Sequence, residues 1–442
     1  MLSVSRPMTA GEGARYFKAD DYYLSEKGRW QGSGAEALGL AGEVRHEDFA
    51  LALRGVHPGT GETLVAGKGD RHLAGLDLTF SAPKSVSLLA LADPGVKAAH
   101  DRAVSRVLAY IEAHNAQARE QVDGERRAIA TGNLAVAAFD HLTSRELDPQ
   151  LHTHAVVLNL TQRADGEWRA VHNVSLYRDQ LALGRLYRAE LARNLGEAGY
   201  AIRVTDRMQG FFEVRGVPEG LLEAFSQRRQ QVEERVQELQ RSGEYPHASR
   251  ARLYEIAALG SRAPKDKGVT KEALAESWRA ELREHGWNIE DLEREARREG
   301  TRARGEREKP GDRPPAAWEI LRTAVQAKTE TESVFRKSEV LDVAARLSLG
   351  RFSLDEMEDA FRELERVRFL LSLGEHVADA KGTTVALHTT REMRNLERRI
   401  LDHVNASRGG WTPLVGAPAV TAHIAAQERA QGWTHTKGQK EA

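Results

Sequence analysis

The chain has 442 residues, and its 64 lysines and arginines nearly balance 65 aspartates and glutamates. A neutral total excludes a uniformly basic nucleic-acid coat but is compatible with a local basic cleft. The absence of cysteine excludes disulfides, iron–sulfur clusters, thiolate-bound zinc and thiol nucleophiles. No apolar run approaches the ~20 residues of a membrane span, and the N-terminus lacks an apolar segment of signal-peptide length. The sequence therefore predicts a soluble, cytoplasmic protein of about three domains, or one large and one small.

Aromatic residues are grouped near the N-terminus at Tyr16, Phe17, Tyr22 and Tyr23. A phenol, with a pKa of about 10, needs a base or a cation to act as a nucleophile at neutral pH. Beside a metal site that also neutralises a phosphodiester, such tyrosines suit transesterification at phosphorus. The alternative is ordinary packing, because aromatic side chains commonly bury large areas.

A strand is predicted over residues 72–81, and Pro83 ends it. Its apolar residues alternate with polar ones, namely Leu76, Leu78 and Phe80 against Asp77, Thr79 and Ser81. Asp77 is either solvated, or accepts the N–H of a metal-binding histidine, or serves as a general base for a tyrosine. Lys84, just after the strand, is either a phosphate contact or a solvated lysine.

Two further strands are predicted over 130–142 and 151–160, after a helix over 96–120 that Gly124 ends. The loop between the two strands contains an Asp-Pro turn signal, so we interpret the pair as an antiparallel hairpin.

This hairpin brings three histidines together. Residues two apart in a strand point the same way, so His152 and His154 share a face, and His141 lies near His152 on the partner strand. Three imidazoles suit zinc, manganese, iron or nickel and leave coordination positions open for substrate. The alternative is a coincidence of surface or hydrogen-bonded histidines.

The second half of the chain is predicted to be mostly helical. Helices over 176–300 are interrupted by a hairpin near 204–217, and amphipathic helix returns over 316–375. Residues 297–315 have no apolar periodicity and contain Pro and Gly, which predicts a linker. No G-x-x-x-x-G-K-[ST] sequence occurs, so no ATP hydrolysis is expected.

Three motifs, in order, carry a resemblance to one family. The opening RYFKADDYYLSEKGRWQGSGAEALGL resembles the tyrosine motif of the MobF, or TrwC/TraI-type, conjugative relaxases. GLDLTFSAPKSVSL (Gly75–Leu88) resembles that family's second motif, and FDHLTSRELDPQLHTHAVVLN (Phe139–Asn159) resembles its three-histidine motif. The resemblance extends from residue 1 to about 295.

The resemblance implies a metal-dependent enzyme that nicks one DNA strand at a plasmid transfer origin, leaving a 5′-phosphotyrosyl adduct and a free 3′-hydroxyl. Tyr16 falls on the first nucleophile, and Tyr22, with Tyr23 beside it, on the tyrosine used in later strand transfer. The three histidines fall on the ligands of a divalent ion, Mg²⁺ or Mn²⁺, with Zn²⁺ as an alternative. Asp77 falls on the acidic residue near the metal.

The chain also departs from the family pattern. Some members have tyrosine where Phe17 stands, so this position cannot be a spare nucleophile. The family usually continues into a helicase, and residues 316–404 resemble the region that leads into it, but the chain ends before any Walker motif. A truncated piece, a naturally short form and a gene remnant are all compatible with this.

The expected fold is α/β (α+β), in which an antiparallel sheet carries the three-histidine site and helices cover its other face. The expected domains are a strand-transferase domain over 1–296, a linker over 297–315 and a smaller, mainly helical region over 316–442. Candidate DNA-binding residues are Arg71, Lys84 and Arg145, and candidate stacking residues are Trp30 and Trp168.

The expected partners are single-stranded and hairpin DNA of the transfer origin, relaxosome accessory proteins and a type IV secretion coupling protein, with no membrane insertion. The enzyme is expected to pass to the recipient cell with the DNA. Two other functions remain open: a metal phosphodiesterase that uses activated water, and a non-catalytic DNA-binding component of the relaxosome.

Overall fold

The computed structural model describes most of the chain. The described residues are 1–10, 27–65, 73–122, 124–144, 146–246, 248–249, 252–254, 256–257, 271–307, 315–377, 382–408, 416–432, 434 and 436. The strands are β1 (Leu2–Val4), β2 (Met8–Thr9), β3 (Arg29–Gln31), β4 (Leu73–Ser81), β5 (Gln117–Val122), β6 (Glu125–Ala130), β7 (Val136–Thr143), β8 (Pro149–Leu158), β9 (Thr161–Gln162), β10 (Trp168–Arg169), β11 (Ile202–Asp206), β12 (Phe211–Val214), β13 (Leu370–Val377) and β14 (Thr384–Thr390).

Helices account for most of the remaining described residues. They are α1 (Ser33–Ala37), α2 (His46–Leu53), α3 (Lys84–Leu89), α4 (Pro94–Asn115), α5 (Val174–Glu197), α6 (Glu219–Ala224), α7 (Gln227–Ser242), α8 (Lys271–Glu284), α9 (Ile289–Arg307), α10 (Ala317–Thr329), α11 (Lys337–Ser348), α12 (Leu354–Arg366), α13 (Arg391–Ser407) and α14 (Ala417–Gln431). None of them combines the length and the apolar character that crossing a membrane requires.

An antiparallel sheet of six strands forms the centre of the fold. Its order is β1-β4-β8-β7-β3, and β2 also pairs with β4. One face packs against α4 and α5 in the larger hydrophobic core, to which β4 contributes Leu76, Leu78 and Phe80. The other face carries a smaller apolar cluster built around Phe49 and Phe139. The predicted fold class and the alternation along β4 are confirmed.

The predicted hairpin of β7 and β8 is also confirmed, with adjusted bounds. The two strands pair antiparallel, and His141 lies opposite His152. In the loop, Ser144 N donates to Asp148 O over 2.8 Å, and Asp148 N donates to Ser144 Oγ over 3.1 Å. These bonds hold the loop closed and thereby help to set the register of the histidine strands.

The predicted helix over 96–120 ends earlier than expected. Helix α4 stops at Asn115, and residues 117–122 form a strand that pairs with 125–130 across Gly124, whose φ is 82°. Ala118 and Ala128 are buried in this pairing. Burial in a hairpin outweighs the helix propensity of the Ala- and Glu-containing segment.

The prediction of a linker at 297–315 is wrong for its first part, because α9 continues to Arg307. Ion pairs three and four residues apart support this polar helix, such as Arg302 with Glu299 at 3.4 Å and with Glu306 at 3.6 Å. The helix also packs closely, since a Cβ on Gly300 would lie 2.0 Å from the backbone oxygen of Gly199. Residues 308–314 lie outside the described part.

The chain divides into two compact units, residues 1–389 and 390–442. In the first unit, α10, α11 and α12 confirm the amphipathic helix predicted for this region, whereas the β13–β14 hairpin was not predicted. These helices share the larger core with α5. The second unit contains α13 and α14, and no described residue of α13 is buried.

Candidate active site and metal centre

Three imidazoles converge on one face of the central sheet. The ring centroids of His141 and His152 are 5.3 Å apart, those of His141 and His154 are 5.2 Å apart, and those of His152 and His154 are 5.0 Å apart. Side chains two residues apart in β8 and directly opposite in β7 share this face. The predicted convergence is therefore confirmed, while the role of the histidines as ligands stays a prediction.

Asp77 orients one of the three rings. Its Oδ2 lies 2.6 Å from Nδ1 of His154, and the Thr79 hydroxyl lies 3.2 Å from the same nitrogen. An ionised carboxylate only accepts hydrogen bonds, so it favours the tautomer with a proton on Nδ1 and a lone pair on Nε2. The solvated alternative for Asp77 is wrong, because only 9% of the residue is exposed.

His152 is held in a neutral state by its surroundings. Burial, reinforced by the nearby His154, lowers the pKa of His152 to about 4. Its Nδ1 lies 2.8 Å from the backbone oxygen of Gln150, which favours a proton on Nδ1 and leaves the lone pair on Nε2. A neutral imidazole is the form that binds a metal.

A second cluster of potential ligands lies on the opposite face of the sheet. Among the described residues, His100, Asp101 and Asp140 have ligand atoms within 4.8 Å of one another. The carboxylate of Asp140, however, is paired with Arg29 at 2.5 Å and with Lys97 at 2.7 Å. Both nitrogens of His100 already have hydrogen-bond partners. Cations and hydroxyl groups therefore occupy the positions that a metal would need.

Other predicted site residues have different surroundings. Lys84 Nζ donates to the backbone oxygen of Pro149 over 2.8 Å, and burial lowers its pKa. This lysine therefore ties α3 to the start of β8, and a DNA contact stays a prediction. Trp30 was wrongly predicted to stack on bases, because it is buried against Phe49. Trp168 is half-buried in β10.

Five predicted site residues lie outside the described part of the chain. They are the three tyrosines and two candidate DNA-binding arginines, Tyr16, Tyr22, Tyr23, Arg71 and Arg145. Their roles stay predictions.

The sequence reasoning missed two residues that support the histidine strands, Thr79 and His100. Thr79 could have been found, because it lies two residues after Asp77 and must share its face. His100 gave no such signal, since it lies on α4 and meets Thr153 of β8 only in the folded protein.

Comparison with known proteins identifies the family. The family model described as TrwC relaxase matches residues 10–285, which is more than half of the chain. The Multifunctional conjugation protein TraI of Escherichia coli strain K12 is 38% identical over 304 residues. A second Escherichia coli TraI is 33% identical over 410 residues, or 86% of this chain. The alignments span only 16% and 22% of these two much longer relatives.

Solved structures agree with this match. The metal-free conjugative relaxase TrwC in complex with oriT DNA is 41% identical, with a TM-score of 0.57, over 65% of this chain and 99% of that one. A metal-bound TrwC complex with oriT DNA is 42% identical, with the same TM-score, over 65% of this chain and 100% of that one. The order of the motifs, the histidine face and these matches agree: the chain belongs to the TrwC relaxase family.

Proposed function

We propose that this protein is a conjugative relaxase, a DNA strand transferase that nicks one strand at a plasmid transfer origin. The observation that carries the proposal is the group of three imidazoles on one sheet face, with Asp77 bound to His154. Solved complexes of the relaxase TrwC with oriT DNA support the substrate.

The donor set fits a divalent metal ion. His141, His152 and His154 would hold it through ring nitrogens, and Asp77 would orient the ring of His154. When bound, a divalent ion would supply positive charge that offsets the charge of the scissile phosphate. TrwC has been solved in metal-bound and copper-bound forms, which supports a metal cofactor. Mg²⁺ and Mn²⁺ are our candidates for the native ion, with Zn²⁺ as the alternative.

The nucleophile in this proposal is Tyr16. Its phenolate oxygen attacks the phosphorus in line with the leaving oxygen, so that the O–P bond to tyrosine forms as the P–O3′ bond breaks. The phenolic proton passes to a base, and Asp77 is the candidate. The leaving O3′ takes up a proton from the solvent, so the products are a 5′-phosphotyrosyl adduct and a free 3′-hydroxyl. One phosphodiester is exchanged for another, so the step needs no ATP and is reversible.

Tyr22 or Tyr23 would act in a second transfer. After Tyr16 is occupied, another tyrosine on the same short segment could use the same metal site. Arg71, Lys84 and Arg145 remain candidates for phosphate contacts, and the hairpin of the origin is the candidate duplex ligand. Relaxosome accessory proteins and a secretion coupling protein are the proposed partners, in the cytoplasm of the donor cell and with transfer to the recipient.

A denaturing gel tests the proposal directly. The protein is incubated with Mn²⁺ and a single-stranded oligonucleotide carrying the transfer origin of its plasmid. A protein–DNA adduct supports the proposal, free cleaved ends without an adduct would replace it by a phosphodiesterase that uses water, and intact DNA would leave a non-catalytic DNA-binding role.

Substitution identifies the tyrosine. Tyr16→Phe removes only the hydroxyl, so this variant should bind the oligonucleotide normally and form no adduct. Tyr22→Phe should still nick but be impaired in strand transfer. A wild-type adduct that mass spectrometry maps to Tyr22 or Tyr23 alone would reverse the assignment.

A further inference from the structure

The strands that carry the histidines are hydrogen-bonded to each other through side chains on the opposite face of the sheet. Thr153, between His152 and His154, points to that face, and so does Asp140, which precedes His141. Thr153 lies opposite Asp140 in the pairing of β7 and β8, and its hydroxyl lies 2.7 Å from Asp140 Oδ1. Thr153 is fully buried and Asp140 nearly so, at 8% exposure.

The contact belongs to a chain of hydrogen bonds that runs in one direction. Oδ2 of Asp140 accepts hydrogen bonds from Arg29 at 2.5 Å and from Lys97 at 2.7 Å, two cations that can only donate. An ionised carboxylate accepts only, so Thr153 must donate to it and accept from His100 Nε2 at 2.8 Å. His100 Nδ1 then accepts from the Tyr187 hydroxyl at 2.8 Å.

This chain of hydrogen bonds links the two strands that carry the histidines to both helices behind them. Lys97 and His100 come from α4, and Tyr187 comes from α5. Fully buried bonds of this kind are rigid and reinforce one another, and each group that loses its partner costs desolvation energy. The backbone of β7 and β8 is thereby fixed next to all three imidazoles.

We propose that Thr153 is a positioning residue for the metal centre. Its two hydrogen bonds, to Asp140 and His100, set the separation of His141 from His152 and His154. The inference rests on the proposed function in one respect, namely that these histidines bind a divalent ion. Metal binding tolerates only small displacements of the ligands. Substituting a group that orients a ligand commonly weakens metal affinity by about 10- to 100-fold.

The test compares two substitutions at this position. Thr153→Val keeps the volume and removes both hydrogen bonds, whereas Thr153→Ser keeps the hydroxyl and removes a methyl group. Calorimetric titration of the full chain with Mn²⁺ measures the Kd, and thermal unfolding of the metal-free proteins measures stability. We expect the Kd to rise by about tenfold or more in Thr153→Val and to stay near the wild-type value in Thr153→Ser.

A matched control separates positioning from stability. Thr161 lies in β9, beyond the end of β8, and is also fully buried. Its hydroxyl lies 2.6 Å from Thr131 Oγ1 and 2.8 Å from Asn133 O. Thr161→Val should lower the unfolding temperature as Thr153→Val does, and it should leave the Kd for Mn²⁺ unchanged.

The outcomes distinguish this inference from the proposed function. If the wild type binds no Mn²⁺, both the metal site and this inference fail. If the wild type binds Mn²⁺ and a folded Thr153→Val binds it equally well, or Thr161→Val weakens binding as much, only the inference fails. If Thr153→Val does not fold, Tyr187→Phe serves as a second variant, because it removes the last hydroxyl of the hydrogen-bond chain. An unchanged Kd for Mn²⁺ in Tyr187→Phe would then overturn the inference.

Discussion

Asp77 determines which nitrogen of His154 can bind a cation. The 2.6 Å contact between Oδ2 and Nδ1 places the proton on Nδ1, and the pairing of β4 with β8 brings the two side chains together. The bond therefore acts on the proposed metal site without requiring that Asp77 touch the metal.

We expect Asp77→Asn to weaken Mn²⁺ binding by about 10- to 100-fold, because the amide cannot supply the charge that orients His154. Calorimetric titration measures the change, and the nicking rate should fall with it. Asp165→Asn is the control, since Asp165 lies in the β9–β10 turn and pairs with Arg163 at 3.0 Å. An unchanged Kd in Asp77→Asn would show that the contact does not orient the ligand.

Two buried histidines make the stability of the metal-free protein depend on pH. Burial lowers the pKa of His100 to about 3 and, with His154 nearby, that of His152 to about 4, against about 6.5 in the unfolded chain. Between pH 6.5 and 4 the unfolded state binds more protons, so the free energy of unfolding falls as the pH is lowered through this window.

At pH 5 each of the two rings should therefore lower the free energy of unfolding by about 2 kcal/mol relative to its value at pH 7.5. Urea unfolding at the two pH values in the presence of a chelator measures the difference. Glu190, whose pKa is raised by burial, acts in the opposite direction. His46→Gln, at an exposed position, should behave like the wild type, and equal midpoints at both pH values would contradict the expectation.

At the scale of elements, the packing of β4 against β8 leaves no room for a side chain at Gly75. A Cβ at this position would lie 2.3 Å from the backbone oxygen of Val157. Any larger residue must therefore push β4 away from β8. The same two strands carry Asp77 and His154, so the close approach helps to align the carboxylate with the ring.

Gly75→Ala should consequently destabilise the protein by about 1–3 kcal/mol, as overpacking does elsewhere, and should weaken Mn²⁺ binding as well. Urea midpoints and calorimetric titration measure the two effects. In Gly196→Ala, the control, the new methyl group in α5 meets no heavy atom within 4 Å, so stability should be unchanged or slightly higher. A fully stable Gly75→Ala variant would mean that the strands can separate at no cost.

At the scale of the whole molecule, the helices α10, α11 and α12 are part of the first compact unit. Arg185 of α5 pairs with Asp342 of α11 at 2.9 Å, and Arg106 of α4 pairs with Glu358 of α12 at 2.8 Å. A Cβ on Gly350 would lie 2.8 Å from that of Ala192. The region thus supports the helices behind the sheet, although it contributes no predicted site residue.

A fragment of residues 1–307 should nick DNA, but it should unfold at a temperature about 5 °C or more below that of the full chain. The reason is that removing α10, α11 and α12 exposes apolar surface on α5. Calorimetry and the gel assay measure the two properties. A fragment of residues 1–389 lacks only the second unit and should match the full chain. If the 1–307 fragment folds but is inert, the division of the chain at the predicted linker is wrong.

Local patterns were sufficient to find the histidine face. The period of two along β7 and β8 and the short loop between these strands place His141, His152 and His154 on one side of a sheet, whereas the position of Asp77 beside them required the pairing of β4 with β8. Strand geometry makes this a local property, because the direction of each side chain follows from its position in the strand. The family was recognisable for a similar reason, since two of its three motifs, Gly75–Leu88 and Phe139–Asn159, overlap strands β4, β7 and β8.

Contacts between distant parts of the chain decided the rest. The antiparallel sheet, the converging histidines and the family could be inferred from local sequence patterns. In contrast, the bond from Lys84 to Pro149, the burial of Trp30 and the contact of His100 with Thr153 arise only in the folded chain. The tertiary structure also ended α4 at Asn115 and extended α9 to Arg307. Burial and hydrogen bonding depend on which elements meet in space, and that is set by packing between residues far apart in the sequence.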